Sequence, residues 1–321
     1  MIMRWDKLGQ VFDFWSSPFA SDFLSHAQSP HAVVFPKFVR IYFSTRTGSG
    51  DGGFVSHVRF VDYDLSLRAA LRYAEGDVVA LGQRGAFNEH GNTYFSPLPF
   101  GEVIFGYTSG WARRRSVAAD SGIGLVISHD GGTSFQRIGD GPVLTSSLHE
   151  PFLVCTGSAL VVDGVFHMYY IYGTAWQRFP GSDRAERTYV IGHALSGDGI
   201  HWRKEGRQII PSAYEAECQA RPTVLRIGTR FHMYFCHRAT IDFRDNFENA
   251  YRLGYAYSDD LVTWVRDDGA AGISRSETGW DSEMMCYPNL FRCGDAIHLL
   301  YNGNGFGRDG FGAATLVQEE R

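Results

Sequence analysis

A near-repetition at a fixed distance is the feature of this sequence that most constrains its fold. The stretch "GVFHMYYIYG" at 164–173 returns as "TRFHMYFCHR" at 229–238. Aligning the chain on the His of "FHMY" finds one strand-like segment five times, 63 to 66 residues apart, at Arg40, Ile104, His167, His232 and His298. Repeats of this length are structural units that pack on their neighbours, so the fold must accommodate five of them.

A turn motif recurs with the same period and completes the fold prediction. Each strand-like segment alternates aromatic and β-branched residues, and the middle three are followed by Ser-x-Asp turns that begin at Ser128, Ser196 and Ser258 and end in Phe or Trp. We expect that aromatic residue to pack into the neighbouring sheet. A β-helix would have a far shorter repeat. We therefore predict an all-β chain in which residues 1–321 form a single five-bladed β-propeller domain of four-stranded blades.

The repeated positions are predicted to be structural. A residue type that recurs in several blades repeats a packing role, so we interpret His167, His232 and His298 as buried structural histidines. By the same alignment, Phe166, Phe231 and Ile297 share one slot and should be buried in corresponding strands of blades 3, 4 and 5.

Composition narrows the class of protein. With 44% hydrophobic residues among 321, the chain can bury a large core. The net charge is −5 and no basic run exceeds Arg113 to Arg115, so we expect no nucleic-acid partner. No segment has the pattern of a secretion signal or a membrane span, and we expect a cytoplasmic protein. The cysteines are odd in number and lack a CxxC pair, which predicts reduced thiols at Cys155, Cys218, Cys236, Cys286 and Cys293.

Carboxylates recur near the starts of the predicted inner strands, which line the central funnel of a propeller. Glu89, Glu217 and Glu283 fall at one aligned position, and Glu150 lies two residues from it in blade 3. Carboxylates that converge in a cleft raise each other's pKa, which glycoside hydrolysis uses to obtain one protonated acid and one ionised base or nucleophile. We predict Glu150 and Glu283 as the catalytic pair, tuned by Glu217. The alternative is that these residues form ion pairs with arginines at the blade seams.

Sugar binding also needs aromatic platforms and planar polar groups. The predicted substrate-binding residues come from segments next to inner strands, and they are Glu89, Arg46, Trp111, His149, Trp176, Arg221, Arg238, Trp280, Asp281, Tyr287, Asn302 and Asn304. No metal-ligand spacing appears, so we expect no metal and no cofactor. The expected partner is a small carbohydrate or glycoconjugate, bound by a monomer or a small homo-oligomer.

These features together resemble a known superfamily. The five-fold period, the "SGDGIHW" type of turn and the carboxylates near inner strands resemble the five-bladed propeller glycosidases that include arabinanases, β-xylosidases and invertases. The last third, with "SETGWDSEMMCYPNLF" and "LLYNGNGFGRDGFGAATL", is similar to bacterial propeller proteins related to those glycosidases and associated with surface polysaccharide synthesis. The resemblance spans the whole chain and implies a glycoside hydrolase or a related carbohydrate-active enzyme.

One position departs from that pattern. The resembling enzymes carry an Asp directly before a Pro near the start of blade 1, whereas here Ser29 precedes Pro30 and the nearest acid is Asp22. Two readings therefore stay open: a carbohydrate-active enzyme that cleaves an O-glycosyl bond, or a non-catalytic propeller that binds a sugar or a protein partner.

Overall fold

The structure is a computed structural model that describes residues 3–50, 53–179 and 184–317. Its strands form five four-stranded antiparallel sheets. The strands of blade 1, from the axis outward, are β2 (Ser25–Val34), β3 (Val39–Gly48), β4 (Phe54–Tyr63) and β5 (Ala70–Tyr73). Those of blade 2 are β6 (Asn92–Phe100), β7 (Val103–Arg113), β8 (Ala119–Ser128) and β9 (Gln136–Arg137). Those of blade 3 are β10 (Phe152–Val162), β11 (Val165–Arg178), β12 (Ala185–Ser196) and β13 (Arg203–Lys204).

Blade 5 joins the two ends of the chain. The strands of blade 4 are β14 (Glu217–Ile227), β15 (Arg230–Ala239), β16 (Arg252–Ser258) and β17 (Val265–Arg266). Those of blade 5 are β18 (Cys286–Cys293), β19 (Ala296–Asn302), β20 (Gly310–Leu316) and β1 (Trp5–Asp13). Strand β1 pairs antiparallel with β20, so the first strand of the chain completes the last blade. The predicted five-bladed propeller is confirmed.

Helix contributes little to the architecture. The helical segments in the described part of the chain are short turns, at Pro18–Ser21, Phe247–Asn249, Asp268–Ala270 and Asn304–Gly307. None of them has the length and apolar character needed to span a bilayer. The five cysteines are free thiols, as predicted.

The second strands of the blades carry the repeat seen in the sequence. Phe166, Phe231 and Ile297 lie on β11, β15 and β19 and are 2%, 7% and 2% exposed, as predicted. His167 and His232 on two of these strands are also buried, and each bonds a ring on the adjacent strand: His167 Nδ1 lies 3.1 Å from His193 Nε2, and His232 Nδ1 lies 2.7 Å from the Tyr255 hydroxyl. The histidines are therefore packing residues.

The Ser-x-Asp turns join each blade to the one before it. In the turn of blade 4, the Asp260 carboxylate accepts the backbone N–H groups of Val262 and Thr263 at 2.9 and 2.7 Å. Trp264 at its end then packs edge-on against Tyr169 of blade 3, at 5.5 Å between ring centroids. Equivalent aromatic contacts in the two earlier turns join Trp202 to Tyr107 and Phe135 to Tyr42.

The inner strands share a further feature, a bulge at one level of the ring. In each inner strand the pairing register with the second strand shifts, and a residue at the equivalent place in each has positive φ. These residues are Ser29, Tyr94, Thr156, Arg221 and Tyr287, with φ between 50° and 58°. A bulge turns the strand and redirects its side chains. We call these five residues the bulge ring.

Candidate active site in the central cavity

A cavity of about 500 Å³ lies at the centre of the propeller. Inner strands of all five blades line it, through Gln28, Tyr94, Cys155, Ala220 and Tyr287. Its walls come from the ends of the second strands and the starts of the third strands. This volume is typical of small-molecule sites and suits a sugar of one or a few rings.

Arginine dominates the charge of this central cavity. The basic side chains that line it are Arg46, Arg113, Arg184, Arg187, Arg238 and Arg244. The acidic side chains among its described lining residues are Asp120 and Glu186. Positive charge concentrated in a cleft with low-dielectric walls attracts anions. The central cavity is therefore suited to a negatively charged ligand.

Three of these arginines have no carboxylate partner within the described residues. The Arg46 guanidinium donates to Gln28 Oε1 at 3.2 Å and lies 4.2 Å above the Phe54 ring. Arg187 lies 5.7 Å from the Trp176 ring. Such guanidinium groups keep hydrogen-bond donors for a carboxylate or phosphate.

Arg238 is the third and the most buried. It is 3% exposed, its Nε donates to the Tyr189 hydroxyl at 3.1 Å, and its guanidinium lies 3.5 Å above the Phe243 ring. These contacts hold the side chain in one orientation, so Arg238 presents a fixed positive charge to the cavity.

Buried tyrosines form part of the cavity lining beside Arg238. The hydroxyls of Tyr189 and Tyr251 are 2.5 Å apart, and the rings of Tyr94 and Tyr287 meet at 5.3 Å. Burial raises the pKa of all four phenols. They are therefore neutral near pH 7 and can exchange hydrogen bonds with sugar hydroxyls.

His26 adds no charge to the cavity at neutral pH. Burial, with the neighbouring Arg46 and Arg308, lowers its pKa to about 3. Its Nδ1 lies 2.6 Å from the Ser25 hydroxyl. The positive charge of the cavity therefore comes from guanidinium groups and persists across the physiological pH range.

The two cavity carboxylates are both at the start of third strands. Glu186 on β12 accepts a hydrogen bond from Arg244 at 2.7 Å, and its side chain is 16% exposed. Asp120 on β8 pairs with Arg114 and accepts the Ser121 N–H at 2.9 Å. These are the carboxyl groups within the described lining that could exchange a proton with a ligand.

The predicted catalytic glutamates are not part of the cavity lining. Glu150 is fully buried, where its carboxylate accepts the Tyr170 hydroxyl at 2.6 Å and pairs with Lys204 of the outermost strand β13. Glu217 likewise pairs with Arg266 of the outermost strand β17, at 2.8 Å. In both blades the carboxylate joins the start of the inner strand to the blade's outer edge. The catalytic role of these glutamates stays a prediction.

Glu283 also lies apart from the cavity lining. Its backbone N–H donates to Asn304 Oδ1 at 2.8 Å, and its carbonyl accepts a hydrogen bond from Arg252 at 3.0 Å. These contacts fix the loop before β18. The alternative reading, that the glutamates form structural ion pairs, fits Glu150 and Glu217, although their partners lie within the same blade and not at a seam between blades.

The predicted sugar-binding residues divide into two groups. Those that line the central cavity are Arg46, Trp111, Trp176, Arg238 and Tyr287. Those outside its lining are Glu89, His149, Arg221, Trp280, Asp281, Asn302 and Asn304.

The second group has structural contacts that explain its position. Asp281 is buried and pairs with Lys7 at 2.6 Å, and Trp280 stacks on Tyr301 at 5.1 Å. Asn302 is fully buried, and its side chain binds backbone groups that include the Ser29 N–H. Glu89 accepts the Gly85 N–H, and His149 is exposed.

Sequence reasoning missed the residues that third strands contribute to the cavity. Asp120, Glu186, Arg187 and Tyr189 lie on β8 and β12, whereas the repeat alignment covered the first two strands of each blade. One signal was available. Strands β11 and β12, of 14 and 12 residues, form a long hairpin, and the charged run "RAERTY" marks the start of its returning strand.

The fold and the position of the cavity define a class of protein. Solved structures that share this fold include one described as "Glycoside hydrolase", which is 15% identical with a TM-score of 0.72, covering 94% of this chain and 90% of that one. Another is described under the GH130 family of mannoside phosphorylases, which contains glycoside hydrolases that target β-1,2-mannosidic linkages in Candida mannan. The latter is 12% identical with a TM-score of 0.70, covering 98% of this chain and 94% of that one. The chain has the five-bladed β-propeller fold of glycoside hydrolases.

Sequence comparison places the chain more narrowly. It is 31% identical to the Uncharacterized protein MT1551 of Mycobacterium tuberculosis (strain CDC 1551 / Oshkosh) over 321 residues, covering 98% of this chain and 99% of the relative, and it belongs to the same family as that protein. It is also 24% identical over 155 residues to the 1,2-beta-oligomannan phosphorylase of Thermoanaerobacter sp. (strain X514), covering 47% of this chain and 48% of that enzyme. No protein-family model matches the chain.

Proposed function

We propose that the protein is a carbohydrate-active enzyme that cleaves the glycosidic bond of a small or terminal sugar in the central cavity, with inorganic phosphate as the attacking group. The observation that carries this proposal is the charge of the cavity: among its described lining residues, six arginines face two acidic residues. An enzyme that hydrolyses glycosides needs two carboxyl groups across the sugar. A phosphorolytic enzyme needs one acid and a site for phosphate, which arginines provide.

The roles of individual residues follow from their positions. Arg46, Arg187 and Arg238 would bind phosphate, because none of them pairs with a carboxylate in the described part of the chain. Trp111 and Trp176 would contact the sugar ring. A phosphate oxygen would bond to the anomeric carbon while the bond between that carbon and the leaving oxygen breaks. The leaving oxygen would take a proton from a carboxylic acid. Glu186 is the first candidate for this acid and Asp120 the second.

Phosphate dependence is the decisive measurement. The named activity of the Thermoanaerobacter relative makes β-1,2-linked mannosides the first substrates to test. We expect mannose 1-phosphate to form from β-1,2-mannobiose only when phosphate is added. In Arg187→Gln the KM for phosphate should rise on the order of tenfold or more, because a charge-assisted hydrogen bond is lost. Arg203→Gln, an exposed arginine on β13, is the matched control and should leave KM unchanged.

The acid is tested separately. Glu186→Gln should lower kcat by a factor of about 10² or more if Glu186 protonates the leaving group. A loss confined to Asp120→Asn would transfer that role to Asp120. Turnover that does not respond to phosphate would contradict phosphorolysis and indicate a hydrolase.

A specific observation favours one other function. The residues through which inner strands line the cavity include no acid in the described chain, although inner strands carry the acids in the resembling enzymes. A non-catalytic sugar-binding propeller fits this observation. Sugar binding detected by calorimetry, without turnover of mannosides or of a panel of aryl glycosides in the presence of phosphate, would support it over the enzyme.

A further inference from the structure

The guanidinium of Arg221 lies on the axis of the propeller. Arg221 belongs to the inner strand of blade 4, whose neighbours in the ring are blades 3 and 5. Its Nη2 lies 2.8 Å from His31 Nδ1 of blade 1 and 3.4 Å from the Phe95 carbonyl of blade 2. A side chain that extends from blade 4 to blades 1 and 2 must cross the centre of the ring.

This guanidinium is buried and only partly bonded. Arg221 is 1% exposed, and its Nε and Nη1 have no hydrogen-bond partner in the described part of the chain. Two other members of the bulge ring have the same property, since Ser29 Oγ and Thr156 Oγ1 are buried and without a partner there. Four buried polar atoms of the bulge ring therefore have unused hydrogen-bonding capacity.

No negative charge from the described residues compensates Arg221. Its ionisable neighbours are His31, Tyr94, Cys155 and Cys236. Burial and the nearby Arg221 lower the pKa of His31 well below 6.5, so its imidazole is neutral and accepts the hydrogen bond from Arg221. Burial raises the pKa of Tyr94, of Cys155 and of Cys236, the last to about 12, so these groups are neutral as well.

An uncompensated buried charge is strongly unfavourable, and proteins pair such charges or bind a counter-ion. Burial also lowers the pKa of Arg221, to about 10, which still leaves the guanidinium charged at pH 7. The chemistry that satisfies this group is a small anion that accepts from Nε or from Nη1 of the guanidinium. The hydroxyls of Ser29 and Thr156 supply two further donors, which suits a spherical ion with several donors around it.

We propose that the bulge ring contains a halide-binding site, formed by Arg221 with Ser29 and Thr156, next to the central cavity. The site is distinct from the cavity: Ala220, the residue before Arg221, lines the cavity, but Arg221 does not. A halide there joins the inner strands of blades 1, 3 and 4 through one ion. The inference does not rest on the proposed function, because it concerns residues that have no part in the sugar or phosphate site.

The test uses the full chain and chloride or bromide as probes. The protein is unfolded in urea and refolded in sodium gluconate, which removes any retained chloride. Its Tm is then measured as chloride replaces gluconate at constant ionic strength. A ligand that binds only the folded state raises Tm in a saturable way, and we expect a shift on the order of a few degrees. Equal Tm values in chloride and in gluconate would overturn the proposal.

Crystals provide a measurement that requires no substitution. In crystals grown with sodium bromide, we expect an anomalous peak within hydrogen-bond distance of Arg221 Nε or Nη1. Bromide peaks confined to the cavity or the surface, with ordered water beside Arg221, would contradict the site.

Variants complete the test. Arg221→Gln should abolish the chloride-dependent shift, whereas Arg187→Gln in the cavity should retain it. If Arg221→Gln does not fold, the wild-type titration and the bromide data decide the question. A chloride shift that survives in a folded Arg221→Gln would place the halide elsewhere and overturn the assignment.

Discussion

Glu150 and Glu217 illustrate how a repeated residue type should be interpreted. They occupy corresponding places in blades 3 and 4, and each pairs with a basic residue on the outermost strand of its own blade, Lys204 or Arg266. The rule that assigns the repeated histidines to packing applies equally to these glutamates. Sequence alignment could locate the carboxylates in the repeat. The direction of each side chain depends on its partner some 50 residues later, which no local pattern reveals.

The buried pair of blade 3 yields a prediction about stability. In Glu150→Gln, Lys204 loses its buried carboxylate partner but keeps its bonds to the Thr145 carbonyl and the Ser147 hydroxyl, and we expect the free energy of unfolding to fall by about 3 kcal/mol. Urea unfolding at pH 7 measures this loss. Glu248→Gln, which breaks the exposed pair with Arg275, is the matched control and should leave the free energy of unfolding close to that of the wild type.

A second variant separates pairing from packing at this site. Adding Lys204→Met to Glu150→Gln removes the unpaired charge, so the double variant should recover part of the lost stability. If Glu150→Gln kept wild-type stability but lost turnover, the original view of Glu150 as a catalytic residue would regain support.

At the scale of elements, the period and the turns could be predicted from the sequence, and the bulges could not. The second strands of the blades alternate aromatic and β-branched residues, and the Ser-x-Asp turns need a side chain that accepts backbone N–H groups, so both leave a pattern in the sequence. In four blades the bulge lies eleven residues before the aligned position of the second strand. In blade 2 that spacing points to Thr93, whereas the structure places positive φ at Tyr94. A register shift of one residue follows from how the inner strand meets the ring axis, and the residue types at the five bulges have little in common.

The turn of blade 4 allows an element-scale test. Asp260 accepts two backbone N–H groups and the Ser258 hydroxyl, so Asp260→Ala should lower the free energy of unfolding by about 1–2 kcal/mol. Asp259→Ala, which removes the next carboxylate and its exposed pair with Arg230, should cost less than about 1 kcal/mol. Equal losses in the two variants at pH 7 would show that the turn bonds do not contribute as argued.

Acid should weaken the Asp260 effect. Hydrogen bonds from the Thr263 and Val262 backbone lower the pKa of Asp260 to about 2, against 3.8 for an unperturbed Asp. The stabilisation is therefore present above pH 3.8 and is lost as the pH falls through 2. The difference between wild type and Asp260→Ala should shrink over that window.

At the scale of the whole molecule, the closed ring of packed sheets buries ionisable side chains, and this burial makes the fold sensitive to acid. Strand β1 completes blade 5, so the first and last parts of the chain are held by one sheet. Five tightly packed sheets leave little water at their seams. Several ionisable side chains are buried between the sheets. Burial is the main cause of a lowered pKa in seven histidines, which are His26, His31, His167, His193, His232, His237 and His298.

These histidines predict that the fold weakens in mild acid. A histidine held neutral by the fold binds its proton more readily in the unfolded chain, so its contribution to stability is complete above pH 6.5 and is lost as the pH falls toward the folded pKa, about 4 for His167 and about 3 for His26. Each such group lowers the free energy of unfolding by at most about 1.4 kcal/mol per pH unit inside its window, and by less where solvent screens the ring. Urea unfolding at pH 7.5, 6.5, 5.5 and 4.5 should therefore show a decline in the free energy of unfolding that begins below pH 6.5 and steepens with acid.

His167→Gln should reduce the dependence of this free energy on pH, whereas substitution of His201, whose side chain is 86% exposed, should leave it unchanged. A free energy of unfolding that stays constant from pH 7.5 to 4.5 would mean that the seams admit water and that these rings protonate without cost to the fold.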